Sequence, residues 1–160
     1  QLNILIETVE RSIQAKEGKT EMTDQEKFEG FKNERIAAND KMYGKEVVEK
    51  YGESIYKQSR EAFKNMSEAD YNEMTALGEQ ILSSLKICIE KSYPADSPSA
   101  QALAKMHKKW LTFAWGSYTP AAHLGLVDMY LADVRFKDFY DSAGTGACKL
   151  LRDAVYIMLD

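Results

Sequence analysis

The sequence predicts an all-α fold, and three observations support this prediction. Apolar residues between 74 and 89 recur at steps of three and four, which places them on one face of a helix. Helix start signals stand at Ser97 and at Thr119, where Pro120 occupies the first turn and its missing N–H costs nothing. No alternating apolar and polar run bounded by hairpin turns occurs, so no β-strand is predicted.

The first segment carries apolar residues at steps of four, three and four, the a/d spacing of a coiled-coil seam: Leu2, Ile6, Val9 and Ile13. Gly18 follows as a stop signal, so a helix is predicted over 1–18. The spacing leaves two interpretations open, an amphipathic helix that packs on its own domain or the end of a longer dimerisation helix. Because the first residue is Gln1, the chain is expected to be a fragment or a processed chain.

Residues 19–52 are rich in charges and glycine, with only scattered apolar anchors: Met22, Phe28, Phe31, Ile36, Met42, Tyr43, Val47 and Val48. Thr23 or Asp24 is positioned to cap a short helix. The low apolar density predicts marginal helices that need something to fold against. We therefore expect 19–52 to form a flexible helical lid.

Residues 53–160 are predicted to form the core, as a series of amphipathic helices. One helix ends near Asn65, and Ser67 with Asp70 begins a long one over about 68 to 92. The Ser97 helix ends at Gly116, and the Thr119 helix runs to Ala132. The remaining signals are the Asp133 cap, the aromatic residues Phe136, Phe139 and Tyr140 behind it, and the inward-facing Leu150, Leu151, Ala154, Val155 and Met158 of a last helix.

Composition excludes several classes of function. The formal net charge of −4 argues against direct binding of a nucleic-acid backbone, which needs clustered Lys and Arg. No apolar run approaches the length of a membrane span and the start lacks a basic signal-peptide region, so a soluble cytoplasmic chain is predicted. Cys88 and Cys148 lack metal-ligand spacing and lie in apolar helical patterns, which predicts buried thiols.

Catalytic and cofactor motifs are equally scarce. The chain has no Gly-rich phosphate loop and only two histidines, His107 and His123, without a metal-binding spacing. His107 is expected to form hydrogen bonds within a helix interface, and His123 to lie in an N-terminal turn, with neither ligating haem. We therefore predict no enzymatic activity, no cofactor and no metal.

Aromatic residues are concentrated between 110 and 140, where eight rings occur: Trp110, Phe113, Trp115, Tyr118, Tyr130, Phe136, Phe139 and Tyr140. Helical periodicity assigns Trp110 and Phe136 to the core. Trp115, Tyr118 and Tyr130 fall at helix ends or on flanks, where a ring with a polar end suits the edge of a cleft for a large apolar ligand.

The stretches "DSPSAQALAKMHKKW", "YTPAAHLGLVDMYLADVRFKDFYD" and "LLRDAV", with "KYGESIYKQSREAFKNMSEADYNEM" before them, resemble the TipAS-type antibiotic-recognition domain of MerR-type transcription activators. The resemblance covers roughly 50–160. It implies a globin-like fold without haem that binds thiopeptides or other bulky antibiotics as the activating signal. It also implies that 1–15 ends a coiled-coil dimerisation helix, so that the full-length protein is a homodimer and reaches DNA only through an N-terminal domain absent from this chain.

One position departs from the family pattern. Where relatives of this type carry a cysteine that captures dehydroamino acids, this chain has Tyr118, so non-covalent binding is expected. The ligand is predicted to lie between the 110–123 wall and the lid, in contact with Phe28, Phe31, Met42, Tyr43, His107, Trp110, Phe113, Ala114, Trp115, Tyr118, Thr119, His123, Met129 and Tyr130. Open alternatives are a stand-alone drug-sequestering protein, a small-molecule enzyme on a globin-like helical fold, and a purely structural dimerisation module.

Overall fold

A computed structural model describes residues 22–160, in which all regular secondary structure is helical. The predicted coiled-coil segment 1–18 lies outside the described residues. The chain divides into two compact units, with the boundary between Glu68 and Ala69. The predicted boundary between lid and core, at 52/53, does not coincide with it, because the helix after 52 makes its contacts within the first unit.

The described part of the first unit starts with one long helix that contains a π-helical turn. Helix α1 (Asp24–Asn39) passes through the π segment Asp40–Gly44 into α2 (Lys45–Tyr51). Thr23 is its N-cap, and the Thr23 and Glu26 side chains form a reciprocal capping box. The helix is longer than the short one predicted. The apolar anchors Phe28 and Ile36 are joined on one buried face by Lys32, four residues from each, which a count of apolar residues missed.

A reversal at Gly52, whose φ of +88° suits glycine, leads into α3 (Glu53–Lys64). The buried Lys32 ammonium joins α1 to the end of α3 by donating to the carbonyls of Lys64 (2.7 Å) and Met66 (2.9 Å). Glu29 lies 3.0 Å from the same ammonium, which balances its charge. A buried lysine is therefore stabilised by carbonyls and a carboxylate, at the helix end where cations are favoured.

The second unit contains five helices: α4 (Glu68–Glu90), α5 (Pro98–Trp115), α6 (Pro120–Ala132), α7 (Val134–Asp141) and α8 (Ala147–Met158). Ser97, Thr119 and Asp133 are the N-caps, each accepting a hydrogen bond from a backbone N–H of the following turn. Gly116 ends α5 in the left-handed conformation (φ +70°). These four predicted helix boundaries are confirmed.

The core of the second unit lies where α8 packs against α5 and α6 and the buried face of α4 closes over them. Of the α4 residues predicted to face inward at steps of three and four, four are buried, namely Leu77, Ile81, Leu85 and Cys88. The other three, Met74, Gly78 and Ile89, are half-buried. No helix within residues 22–160 has both the length and the apolar character needed to cross a bilayer.

Two aromatic assignments were wrong. Tyr130, predicted on a flank, is 3% exposed, because α6 packs against α7 and α8 and the Tyr130 ring lies against His107 of α5 (5.8 Å between centroids). Phe136, predicted in the core, is 36% exposed, because the short helix α7 lies at the edge of the unit and the ring stacks on Tyr130 (5.3 Å between centroids).

Candidate functional site

The two histidines of the chain meet in the core of the second unit. His107 lies on α5, and the Thr119 cap places His123 in the first turn of α6. His107 Nδ1 and His123 Nε2 are 2.8 Å apart, and the rings stack at 4.9 Å between centroids. Both side chains are fully buried. The predicted hydrogen bonding of His107 at a helix interface is confirmed, but its partner was not foreseen.

Tyrosine hydroxyls extend this pair in both directions. The Tyr118 hydroxyl is 2.8 Å from His123 Nδ1, and the Tyr130 hydroxyl is 3.4 Å from His107 Nε2. Tyr140 on α7 is hydrogen-bonded to Tyr130. The five side chains form a polar relay that runs from the α5–α6 turn to α7. We call it the Tyr118–Tyr140 relay.

The geometry of the relay fixes how its hydrogens are arranged. A neutral imidazole has one N–H and one acceptor nitrogen. Because Nδ1 of His107 faces Nε2 of His123, a hydrogen bond between them requires both rings to be the same tautomer. Either both carry hydrogen on Nε2 and the hydrogen bonds point from Tyr118 to Tyr140, or both carry it on Nδ1 and they point from Tyr140 to Tyr118.

Burial keeps the relay uncharged. Desolvation, with the neighbouring His123, lowers the pKa of His107 to about 3. Desolvation, with the nearby Lys108 ammonium, lowers the pKa of His123 to about 4. Both rings are therefore neutral at pH 7, which makes the relay a polar but uncharged lining. Among residues 22–160, no cluster of three or more His, Cys, Asp or Glu side chains is arranged to hold a metal ion.

Aromatic rings surround the histidines and reach the partly exposed α5–α6 turn. Trp110 stacks on His107 (5.9 Å), and Trp115 stacks on Tyr118 (6.4 Å). The Lys108 ammonium lies 4.9 Å from the Tyr118 ring centroid, in a cation–π contact. Trp110, Trp115 and Tyr118 are half-buried. We call the surface formed by these three rings, with the buried His123 behind it, the aromatic wall.

The predicted site residues divide between the two units. Besides the relay and the wall, the second unit holds the exposed cap Thr119 and the half-buried Phe113, Ala114 and Met129. In the first unit, the rings of Phe28 and Phe31 stack at 6.3 Å between centroids. Met42 and Tyr43 lie in the π segment, where their side chains are 69% and 38% exposed. Phe28 itself is buried.

Sequence reasoning missed Tyr140 and Lys108 as members of the site. A signal was present for the relay, since His123 and Tyr130 are separated by seven residues, two turns on one face of α6. Nothing in the sequence placed Tyr140 beside them, because it comes from a different helix.

A family model of a ligand-binding domain matches most of the sequence. The chain belongs to the TipAS antibiotic-recognition domain family, which matches residues 43–158 and so includes the whole relay. The recognition made from the sequence is thereby confirmed.

Relatives from three bacteria align with nearly all of the chain. The HTH-type transcriptional regulator SkgA of Caulobacter vibrioides is 26% identical over 155 residues, which cover 94% of this chain and 59% of SkgA. The HTH-type transcriptional activator TipA of Streptomyces coelicolor is 26% identical over 148 residues, 92% of this chain and 57% of TipA. The HTH-type transcriptional activator mta of Bacillus subtilis is 24% identical over 156 residues, 98% of this chain and 60% of mta.

The chain therefore spans less than two thirds of each of these relatives. No solved structure matches it significantly.

Proposed function

We propose that this chain is the ligand-sensing effector domain of a MerR-type transcription activator and binds a bulky antibiotic, such as a thiopeptide, or another multidrug ligand. The observation that carries the proposal is the match of 43–158 to the antibiotic-recognition family. The relatives SkgA, TipA and mta are named as transcriptional regulators or activators, which supports the proposed role in transcription.

The aromatic wall supports the ligand-binding half. Half-buried rings at 115 and 118 offer a flat apolar surface, and the relay behind them supplies a polar group without a net charge. Such a surface suits a large, mostly apolar ligand with a few polar groups. The prediction that Phe28, Phe31, Met42 and Tyr43 contact the same ligand stays a prediction.

The thiols support a non-covalent mode of binding. Both cysteines are buried, and burial raises the pKa of Cys88. Burial and, to a smaller extent, the nearby Asp141 carboxylate raise the pKa of Cys148 to about 11. A reactive cysteine needs an exposed thiolate, so neither suits attack on a ligand.

The wider architecture belongs to the same proposal. Residues 53–160 are the globin-like helical core without haem of this proposal, and 1–18 is the end of a coiled-coil dimerisation helix in a cytoplasmic homodimer. Closure of the 19–52 lid on the ligand then signals to a DNA-binding domain that is not part of this chain. The domain acts by binding rather than by catalysis.

Calorimetry and thermal shift against thiopeptides, other peptide antibiotics and planar drugs test the proposal. A ligand at 100 times its Kd should stabilise the protein by about 2.7 kcal/mol. Tyr118→Ala should weaken binding while the core stays folded, and Ile157→Ala, an exposed apolar residue at the end of α8, should leave affinity unchanged.

Intact-mass spectrometry of the complex should show no adduct. The proposal is wrong if no compound of the panel stabilises the protein, or if Tyr118→Ala binds a confirmed ligand as tightly as the wild type.

A further inference from the structure

The helices that carry the aromatic wall lie in a stretch of sequence without acidic residues. Residues 97–127 include all of α5 and the first part of α6, and they contain no Asp or Glu but three lysines, Lys105, Lys108 and Lys109. The whole chain, by contrast, has 25 acidic and 21 basic side chains. The charged side chains that these two helix segments supply around the wall are therefore all positive.

Lys108 is the lysine that lies at the wall. Its ammonium is 4.9 Å from the centroid of the Tyr118 ring. Desolvation and then the charge of this ammonium lower the pKa of His123, directly behind the ring. Lys108 is exposed, and among residues 22–160 no carboxylate forms an ion pair with it. Its neighbour Lys109 differs, because that ammonium is paired with Glu73 at 2.5 Å.

An unpaired ammonium at this place distinguishes ligands by charge. An ammonium donates hydrogen bonds and has no lone pair with which to accept one. A carboxylate on the wall therefore gains a charge-assisted hydrogen bond from Lys108. An aromatic cation is repelled, because Lys108 already occupies a face of the Tyr118 ring that would attract it. The two neutral histidines supply no negative charge that would offset this repulsion.

We propose that Lys108 determines the charge selectivity of the aromatic wall: it favours flat aromatic ligands that carry a carboxylate or another anionic oxygen, and it disfavours aromatic cations. The inference rests on the proposed function for the role of the wall as the ligand-binding surface. It adds the chemical class that the wall prefers, with uncharged ligands between the two extremes.

Three probes of nearly the same shape test the selectivity in the full chain 1–160. Naphthoate, naphthamide and naphthamidinium carry an anionic, a neutral and a cationic group on one ring system. Their affinities are measured from saturable shifts of the Tyr118 ring and Trp115 indole resonances at pH 7.5. We expect naphthoate to bind about tenfold more tightly than naphthamidinium at low ionic strength, with naphthamide between them. Added salt should reduce this ratio, because it screens exposed charges.

Variants of the two neighbouring lysines identify the residue responsible. Lys108→Gln removes the charge and should bring the three affinities within about twofold of one another, and Lys108→Glu should reverse their order. Lys109→Gln is the matched control and should keep the wild-type order, because the charge it removes is already paired with Glu73. An unchanged order in Lys108→Gln, or an equal loss of selectivity in Lys109→Gln, would overturn the proposal.

The result can be separated from the outcome for the proposed function. If no antibiotic binds while the probes show the expected order at Tyr118, the proposed function fails and the charge selectivity of Lys108 stands. If an antibiotic binds while the three probes bind equally, the proposed function stands and the assignment of Lys108 is wrong. The assignment is also wrong if no probe shifts the Tyr118 and Trp115 resonances saturably.

Discussion

Acidification from pH 7 to pH 5 should destabilise the second unit through its two histidines. Each has an ordinary pKa of 6.5, lowered in the folded state to about 3 for His107 and about 4 for His123. Between pH 6.5 and these values the unfolded chain binds more protons than the folded one, so the free energy of unfolding falls as pH falls. The stability that the two neutral histidines contribute is fully present above pH 6.5 and is lost progressively below it.

The size of the effect follows from the shifts. At pH 5 an unfolded histidine is almost fully protonated while the buried one stays neutral, which costs about 2 kcal/mol per residue relative to pH 7. The two together should lower the free energy of unfolding by about 4 kcal/mol, a large part of the stability of a small domain. The chain has only two histidines, so no other imidazole titrates in this range.

Tryptophan fluorescence during urea unfolding measures this unit selectively, because both tryptophans, Trp110 and Trp115, lie within it. Unfolding curves at pH 7, 6 and 5 should show a falling midpoint at constant slope. His123→Gln, which keeps hydrogen-bonding capacity but does not titrate, should reduce the loss to about 2 kcal/mol. A free energy of unfolding that is flat from pH 7 to pH 5, or a full loss in His123→Gln, would refute the reasoning.

Two further stability predictions concern single positions. Gly144→Ala should cost about 2 kcal/mol, because φ is +151° and an added Cβ would lie 2.7 Å from Ile89 Cγ2. In the matched control Gly125→Ala, inside α6, the added Cβ has no heavy atom within 4 Å, so this variant should raise the free energy of unfolding by about 1 kcal/mol. Equal urea midpoints for the two variants would contradict the geometry. Lys32→Met should weaken the first unit by about 2 kcal/mol, since two carbonyls at the end of α3 lose a charged donor. Hydrogen exchange of 53–64 measures this, and unchanged protection there would show that the buried ammonium is not needed.

Helix boundaries in the second unit were predictable from the sequence because they depend on neighbours in the chain. The side chains of Ser97, Thr119 and Asp133 accept hydrogen bonds from N–H groups two or three residues later, and Gly116 ends its helix by its own backbone freedom. The family resemblance was visible for a related reason, since it rests on a few continuous stretches of sequence.

Only the tertiary structure decided which aromatic and polar side chains meet. Periodicity places Phe136 and Tyr130 on helix faces, but it does not show which of these faces another helix covers. Phe136, predicted in the core, is therefore exposed, and Tyr130, predicted on a flank, is buried. The two histidines are 16 positions apart on different helices, and their contact exists because α5 and α6 pack at that register. Their neutrality has the same origin: desolvation by the assembled core, which no local pattern encodes, lowers both pKa values.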